Sequence, residues 1–270
     1  MTTPICLPVW LNGRLLPAGQ ARIDPADRGF LLGDGLFETM RVSGGQVRHF
    51  DRHMRRLEEG AATLMLPAPD PALIAGAVAE MLAACHLMGG SLRLTCTRGT
   101  GPRGLLPPPE VTPTLLLTAS SAIAPQGPVR LVTSIHRRDE ESVLSRVKSL
   151  NYLPSILARM EAAGQGADDA LLLNRGGYVA ETCASTLIAC IDGQPVTPPV
   201  SDGALPGTAR GVLVDAGLLH VRRLTPDMLR GAGALFTLNS LCMREVLMLD
   251  GHEIPRRPDL LAAMRAAVQP

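Results

Sequence analysis

The spacing of apolar residues changes period several times along this chain, and each change marks an element. LFETMRV (36–42) and QVRHF (46–50) alternate with the period of two that strands require. They flank Ser43-Gly44-Gly45, so the pattern predicts a β-hairpin. Asp51 then stands where a helix cap is expected, with Met54, Leu57 and Ala61 on one helical face. Pro71 to Leu87 is an apolar, alanine-rich helix, and 91–97 and 114–119 read as strands. Between those strands RGTGPRGLLPPPEVTP is too dense in Gly and Pro to be anything but a loop.

APQGP (124–128) reads as a linker, and the pattern then resumes. A short strand is expected at 131–134, a helix at 151–163 and a second hairpin from ALLLN (170–174) and YVAE (178–181). STLIACI (185–191), ALFTL (234–238) and EVLML (245–249) are apolar strands. Helices are expected at 208–216 and 258–268. No repeat or low-complexity segment interrupts this order. The pattern predicts an α+β protein of two lobes: 1–122, an interdomain loop at 123–128, and 129–270.

Composition narrows the function. A net charge of +1 gives no field for nucleic acid, and 3% aromatic residues leave little for base stacking. No apolar run is long enough to span a membrane, and the first residues lack the signature of a secretory leader. Six scattered cysteines form no CxxC pair, so a zinc site is not expected and reduced thiols in the cytoplasm are. His49 and His53 lie four apart but have no third ligand nearby, and His49 falls on the expected strand, so no metal is predicted. Asp34 between two glycines reads as a turn. Arg137, Arg138, Asp139, Glu140 and Glu141 read as a solvated charged turn.

Among 26 basic residues one is lysine, Lys148. A guanidinium stays protonated and is a poor nucleophile, whereas a lysine amine can condense with an aldehyde. An aldehyde cofactor such as pyridoxal phosphate needs more than the amine. It needs a carboxylate for the pyridine nitrogen, and Glu181 at a strand end either serves that or is simply exposed. It needs a phosphate seat, and Gly207-Thr208-Ala209 opens a helix whose first amides form one, or is an ordinary helix start. It needs a hydroxyl near the ring oxygen, and Tyr152 is a candidate, or an interfacial core residue.

Four blocks carry a resemblance over nearly the whole chain: DRGFLLGDGLFETMRV (27–42), KSLNYLPSILARMEA (148–162), GADDALLLN (166–174) and YVAETCAS (178–185). In kind and order they resemble the fold-type IV, or class IV, pyridoxal-phosphate enzymes. These include branched-chain aminotransferases, D-amino-acid aminotransferases and 4-amino-4-deoxychorismate lyases. The resemblance implies a two-domain fold like that of D-amino-acid aminotransferase, with the cofactor at the domain interface, and a homodimer. It implies that Lys148 binds the cofactor aldehyde and shuttles the proton, and that Glu181 faces the ring nitrogen. Arg56, Thr208, Ala209 and Ser240 would hold the phosphate, and Tyr152 the ring oxygen. Arg103 would take the substrate carboxylate, with Phe37, Leu105, Cys183 and Ala184 around the substrate.

The chain departs from the family pattern at four of these positions. The cup reads Gly-Thr-Ala where Gly-Ile-Thr is usual, so Ala209 loses a hydroxyl but keeps its amide. Leu105 stands where the D-amino-acid branch has histidine and the lyase branch tyrosine, and Phe37 stands where another tyrosine is found. A more apolar pocket follows. Transamination between a small amino acid and a 2-oxo acid is the first expectation. A lyase releasing pyruvate and p-aminobenzoate is the second, and a non-enzymatic cofactor carrier the third.

Overall fold

The computed structural model describes residues 7–268 apart from Ile123 and Gln126. Cys6 and those two positions of the expected interdomain loop lie outside the described residues. The chain forms two compact units, one of residues 1–124 with 147–151, the other of residues 125–146 with 152–270. A single cut in the sequence does not describe this division, because a short segment carrying Lys148 belongs with the first unit.

The first unit contains β1 (Val9–Leu11), β2 (Arg14–Leu16), α1 (Arg28–Leu32), β3 (Gly35–Ser43), β4 (Gln46–Val47), α2 (Phe50–Thr63), α3 (Pro71–Ala84), β5 (Gly89–Thr97) and β6 (Thr114–Ser120). Its strands form one antiparallel sheet in the order β2-β1-β6-β5-β3-β4. Alternation on β3 sends Leu36, Met40 and Val42 into a core with Leu92, Leu94 and Cys96 of β5. Met54, Leu57 and Ala61 of α2 close that core, as their spacing predicts. Each such aliphatic side chain contributes about 1.5–3 kcal/mol by leaving water. The same alternation places Glu38 on this apolar face. Gly60 lets α2 approach closely, since a Cβ there would lie 3.2 Å from Leu36 and 3.3 Å from Val147.

The junction of β4 and α2 differs from the expectation. His49 is not on a strand but caps α2 in the left-handed region, with φ 54°, and Asp51 lies in the first turn. That backbone reversal ends the hairpin early and starts the helix before Asp51. α3 likewise stops at Ala84, because His86 adopts φ 47°.

The second unit contains β7 (Val129–Arg138), α4 (Leu153–Gly164), β8 (Asp169–Asn174), β9 (Val179–Thr182), β10 (Thr186–Ile191), β11 (Gln194–Thr197), α5 (Thr208–Asp215), β12 (His220–Val221), α6 (Pro226–Arg230), β13 (Leu235–Leu238), β14 (Met243–Leu249), β15 (His252–Glu253) and α7 (Pro258–Val268). Its sheet runs β12-β11-β10-β13-β14-β7-β8-β9, with β15 beside β14. β7 lies parallel to both β14 and β8, with α4 as the crossover to β8. β8 and β10 are buried at every residue, which is why they read as continuous apolar runs rather than alternating ones. β7 is longer than expected and runs through Arg137 and Arg138. The charged-turn reading therefore fails for those two arginines: strand pairing with Leu173 and Asn174 of β8 carries them past the apolar stretch.

Candidate active site

The start of β3 pairs with β5 on one edge and holds the lysine segment on the other, which β4 does not reach. Phe37 N–H donates to the Lys148 carbonyl at 3.0 Å, Leu150 N–H donates to the Gly35 carbonyl at 2.9 Å, and Leu36 bridges Ser149. Lys148 is half-buried; along the sequence it follows a 3-10 turn at Val143–Arg146 and precedes α4. Its Nζ lies 4.3 Å from the centroid of the Phe37 ring. The Arg93 guanidinium carbon lies 3.8 Å from the same centroid. Phe37, the expected substrate-side residue, thus supports the amine through its π face, a contact worth about 0.5–1 kcal/mol where water reaches it.

On the opposite face of β3, Glu38 binds the candidate phosphate arginine. Arg56 Nε donates to Oε1 at 2.7 Å and Nη2 to Oε2 at 2.5 Å, and His53 Nδ1 lies 2.6 Å from Oε2. All three residues are buried. Burial alone would raise the Glu38 carboxyl, but hydrogen bonds from His53 and Arg56 and the charge of Arg56 outweigh it and hold it below the ordinary value. Burial pushes His53 down, and Glu38 only partly offsets this. The consistent state is an ionised Glu38 accepting Nδ1–H from a neutral imidazole. Sequence reasoning missed Glu38 and His53. The available signal was an acid on the core-facing register of a strand.

Glu181 is buried on β9 rather than exposed. Its Oε1 pairs with Arg138 Nη2 at 3.0 Å, and its Oε2 accepts Leu205 N–H at 3.0 Å. Arg138 also donates to the carbonyls of Gly203 and Ser145, at 3.1 and 2.9 Å. The carboxylate is therefore fixed in place and kept beside a cation. Arg138 was hidden within a run of charges.

Thr208 and Ala209 open α5 behind Gly207, and no side chain caps that end. Helix geometry leaves the first amides without an intrahelical acceptor. Arg210 follows, buried, with Nη2 on the Pro198 carbonyl at 3.1 Å and Nε without a partner. Burial lowers its affinity for its proton. The open N-terminus of α5 favours an anion, and Arg210 in the same first turn carries a buried guanidinium whose Nε no protein group satisfies. This donor set fits a phosphate group. Tyr152 caps α4, and Ser240 is half-buried in the turn after β13. Cys183 packs with Ala158, Ala162, Ala170 and Leu172, and burial, with Asp169 nearby, pushes its thiol up to about 12. Ala184 is exposed. Arg103 is exposed on the loop between β5 and β6, and Leu105 beside it is 83% exposed.

Residues 35–248 match the family model for amino-transferase class IV. The chain belongs to the class IV aminotransferase family. It is 34% identical over 210 residues to a putative branched-chain-amino-acid aminotransferase of Methanocaldococcus jannaschii, covering 76% of this chain and 73% of that protein. It is 29% identical to a D-alanine aminotransferase of Staphylococcus haemolyticus, covering 76% of this chain and 73% of that protein. It also superposes on the crystal structure of 4-amino-4-deoxychorismate lyase from Pseudomonas aeruginosa with a TM-score of 0.83 and 34% identity, over 96% of this chain and 98% of that one. The class IV aminotransferase has the mixed α/β fold that the resemblance implied, and it is an enzyme. Among its described residues no helix is long and apolar enough to cross a membrane, and no group of His, Cys, Asp and Glu is arranged to hold a metal.

Proposed function

We propose that this class IV aminotransferase uses pyridoxal 5'-phosphate to move an amino group between a small amino acid, of branched-chain or D-amino-acid type, and a 2-oxo acid. The observation that carries the reading is the buried anion seat at α5, where Arg210 Nε has no protein partner. When bound, the cofactor supplies an aldehyde that exchanges amines and a ring that takes up the electron pair left by a departing proton. Lys148 Nζ would hold the cofactor through its aldehyde, and the same amine could carry the proton taken from the substrate Cα. Glu181 holds the proton on the pyridine nitrogen. Arg56, the amides of Thr208 and Ala209, and Ser240 would bind the phosphate, with the Arg210 charge supporting the seat, and Tyr152 would orient the ring oxygen. Arg103 orients the substrate carboxylate, and the apolar Phe37 and Leu105, with Cys183 and Ala184, shape the substrate side.

A homodimer in the cytoplasm completes the proposal. α4 exposes Leu153, Ile156, Leu157 and Met160 at helical spacing, an apolar stripe suited to a second copy. The five described cysteines are free thiols, which suits a reducing compartment.

The identity to the Pseudomonas aeruginosa lyase favours a second reading, release of pyruvate and p-aminobenzoate from aminodeoxychorismate. One experiment tests both. The protein is loaded with pyridoxal phosphate, reduced with borohydride, and digested; the cofactor mass is expected on the peptide containing Lys148. The unreduced protein is then given L- and D-amino acids, each with a 2-oxo acid, and separately aminodeoxychorismate alone. Turnover that requires the 2-oxo acid supports transamination. Pyruvate from aminodeoxychorismate without any acceptor would replace it with the lyase, and an unlabelled Lys148 would end both readings.

A further inference from the structure

The expected carboxylate arginine rides on a loop, and that loop is gripped from below. Its stem is tied by Asp27, whose buried carboxylate accepts from Thr97 Oγ1 at 2.8 Å and Thr114 Oγ1 at 2.7 Å, one on each side of the loop. Gly99, at φ 83°, closes the neck, since a Cβ there would lie 2.0 Å from the Thr112 carbonyl oxygen. Its tip is held by Arg28, which is 3% exposed. Arg28 Nη1 donates to the Gly104 carbonyl at 3.0 Å and Nη2 to the Leu105 carbonyl at 2.7 Å, the two residues that follow Arg103. Its Nε donates to Asp34 Oδ2 at 2.9 Å. The same oxygen accepts Arg98 Nε at 2.8 Å, and Arg98 in turn holds the carbonyls of Met65 and Leu64 at 2.9 and 2.8 Å. Asp34 is thus the hub that locks both guanidiniums.

We propose that Arg28 is a positioning residue for substrate recognition: its fork on the Gly104 and Leu105 carbonyls, locked by Asp34, sets where Arg103 meets a substrate carboxylate. This rests on the role given to Arg103 above. A planar guanidinium serves three fixed acceptors as one rigid fork, a geometry that the tetrahedral donors of an ammonium do not reproduce. Neither the loop nor its grip depends on the side chain of Leu105, which is bound only through its carbonyl. The position can therefore carry different residues while the arginine stays aimed.

The test uses holoenzyme with butyrate, a carboxylate that cannot react, titrated against the visible absorbance of the Lys148-bound cofactor. Arg103→Gln is expected to weaken butyrate at least tenfold. Arg28→Gln is expected to do nearly the same, and Arg28→Lys not to rescue it. In the Arg103→Gln background, Arg28→Gln should change binding by less than twofold, because it acts through Arg103. Effects that multiply, unchanged binding in Arg28→Gln, full rescue by lysine, or loss of the cofactor absorbance in both Arg28 variants would each overturn the proposal. No absorbance in the wild type, or no effect of Arg103→Gln, would instead defeat the functional reading beneath it. Trypsin cleavage after Arg103 gives a readout without cofactor: it should quicken several-fold in Arg28→Gln, and an unchanged rate would remove the clamp.

Discussion

Arg138 Nη2 stands 3.0 Å from Glu181 Oε1, so the carboxylate proposed to face the cofactor nitrogen is held from behind by a cation. The Leu205 amide takes its second oxygen. The guanidinium and the amide fix the orientation of this carboxylate and leave it acceptor sites for a proton-bearing nitrogen. Arg138→Ala is therefore expected to lower kcat by about ten- to a hundredfold, roughly 1.4–2.7 kcal/mol of barrier, while the cofactor still labels Lys148. Steady-state kinetics with the borohydride trap check this. Equal turnover in Arg138→Ala would show that Glu181 needs no partner.

The Glu38–His53–Arg56 cluster predicts how stability depends on pH. His53 titrates below its ordinary value of 6.5 in the folded chain and Glu38 below its ordinary 4.5. In both cases the unfolded chain binds the proton more readily, so stability falls as pH falls. The His53 contribution is present above about pH 6.5 and is lost on acidification below it; the Glu38 contribution is lost below about pH 4.5. Melting temperatures from about pH 8 to about pH 2 should fall in these two stages. His53→Gln should remove the first stage, and an unaltered profile in that variant would assign it elsewhere.

The anion seat on α5 predicts a thermal response without catalysis. Inorganic phosphate added to the apoprotein should raise the melting temperature, and pyridoxal phosphate should raise it further. Ligand at a hundred times its Kd adds about 2.7 kcal/mol. Arg210→Met keeps the hydrocarbon volume but removes the buried charge, so its apoprotein should be at least as stable while the phosphate response shrinks. A full phosphate response in Arg210→Met would show that the guanidinium does not serve the seat.

Much of this architecture was legible because short apolar runs with Gly and Pro boundaries are read locally. ALLLN and STLIACI are buried strands, and the α2 face of Met54, Leu57 and Ala61 lies in the core as its spacing requires. The lone lysine drew attention to Lys148 for a chemical reason, and the helix opening at Thr208 followed from Pro206 and Gly207. What remained illegible depended on partners distant in sequence. Glu38 reads as one more polar position until α2 delivers His53 and Arg56 to it. Arg138 reads as surface charge until β9 brings Glu181 beside it. Asp34 reads as a turn until Arg98, 64 residues later, arrives at the same oxygen as Arg28. His49 misled because a non-glycine residue at φ 54° leaves no mark in the hydrophobic pattern.

Asp27 allows a comparison between two helix caps that differ mainly in burial. Its side chain caps α1 by accepting Gly29 N–H at 2.8 Å and also binds the Thr97 and Thr114 hydroxyls. Asp70 caps α3 by accepting Ala72 N–H at 2.9 Å, in an exposed position. Asp70→Ala should cost about 1 kcal/mol, the ordinary worth of a cap. Asp27→Ala should cost about 2–4 kcal/mol, because the lost cap is joined by the buried Thr97 hydroxyl and the half-buried Thr114 hydroxyl left without their acceptor. Urea unfolding of the two variants under one condition measures the difference. Equal midpoints would mean that water or a neighbouring group satisfies Thr97 and Thr114, and that the stem of the Arg103 loop is not held by Asp27.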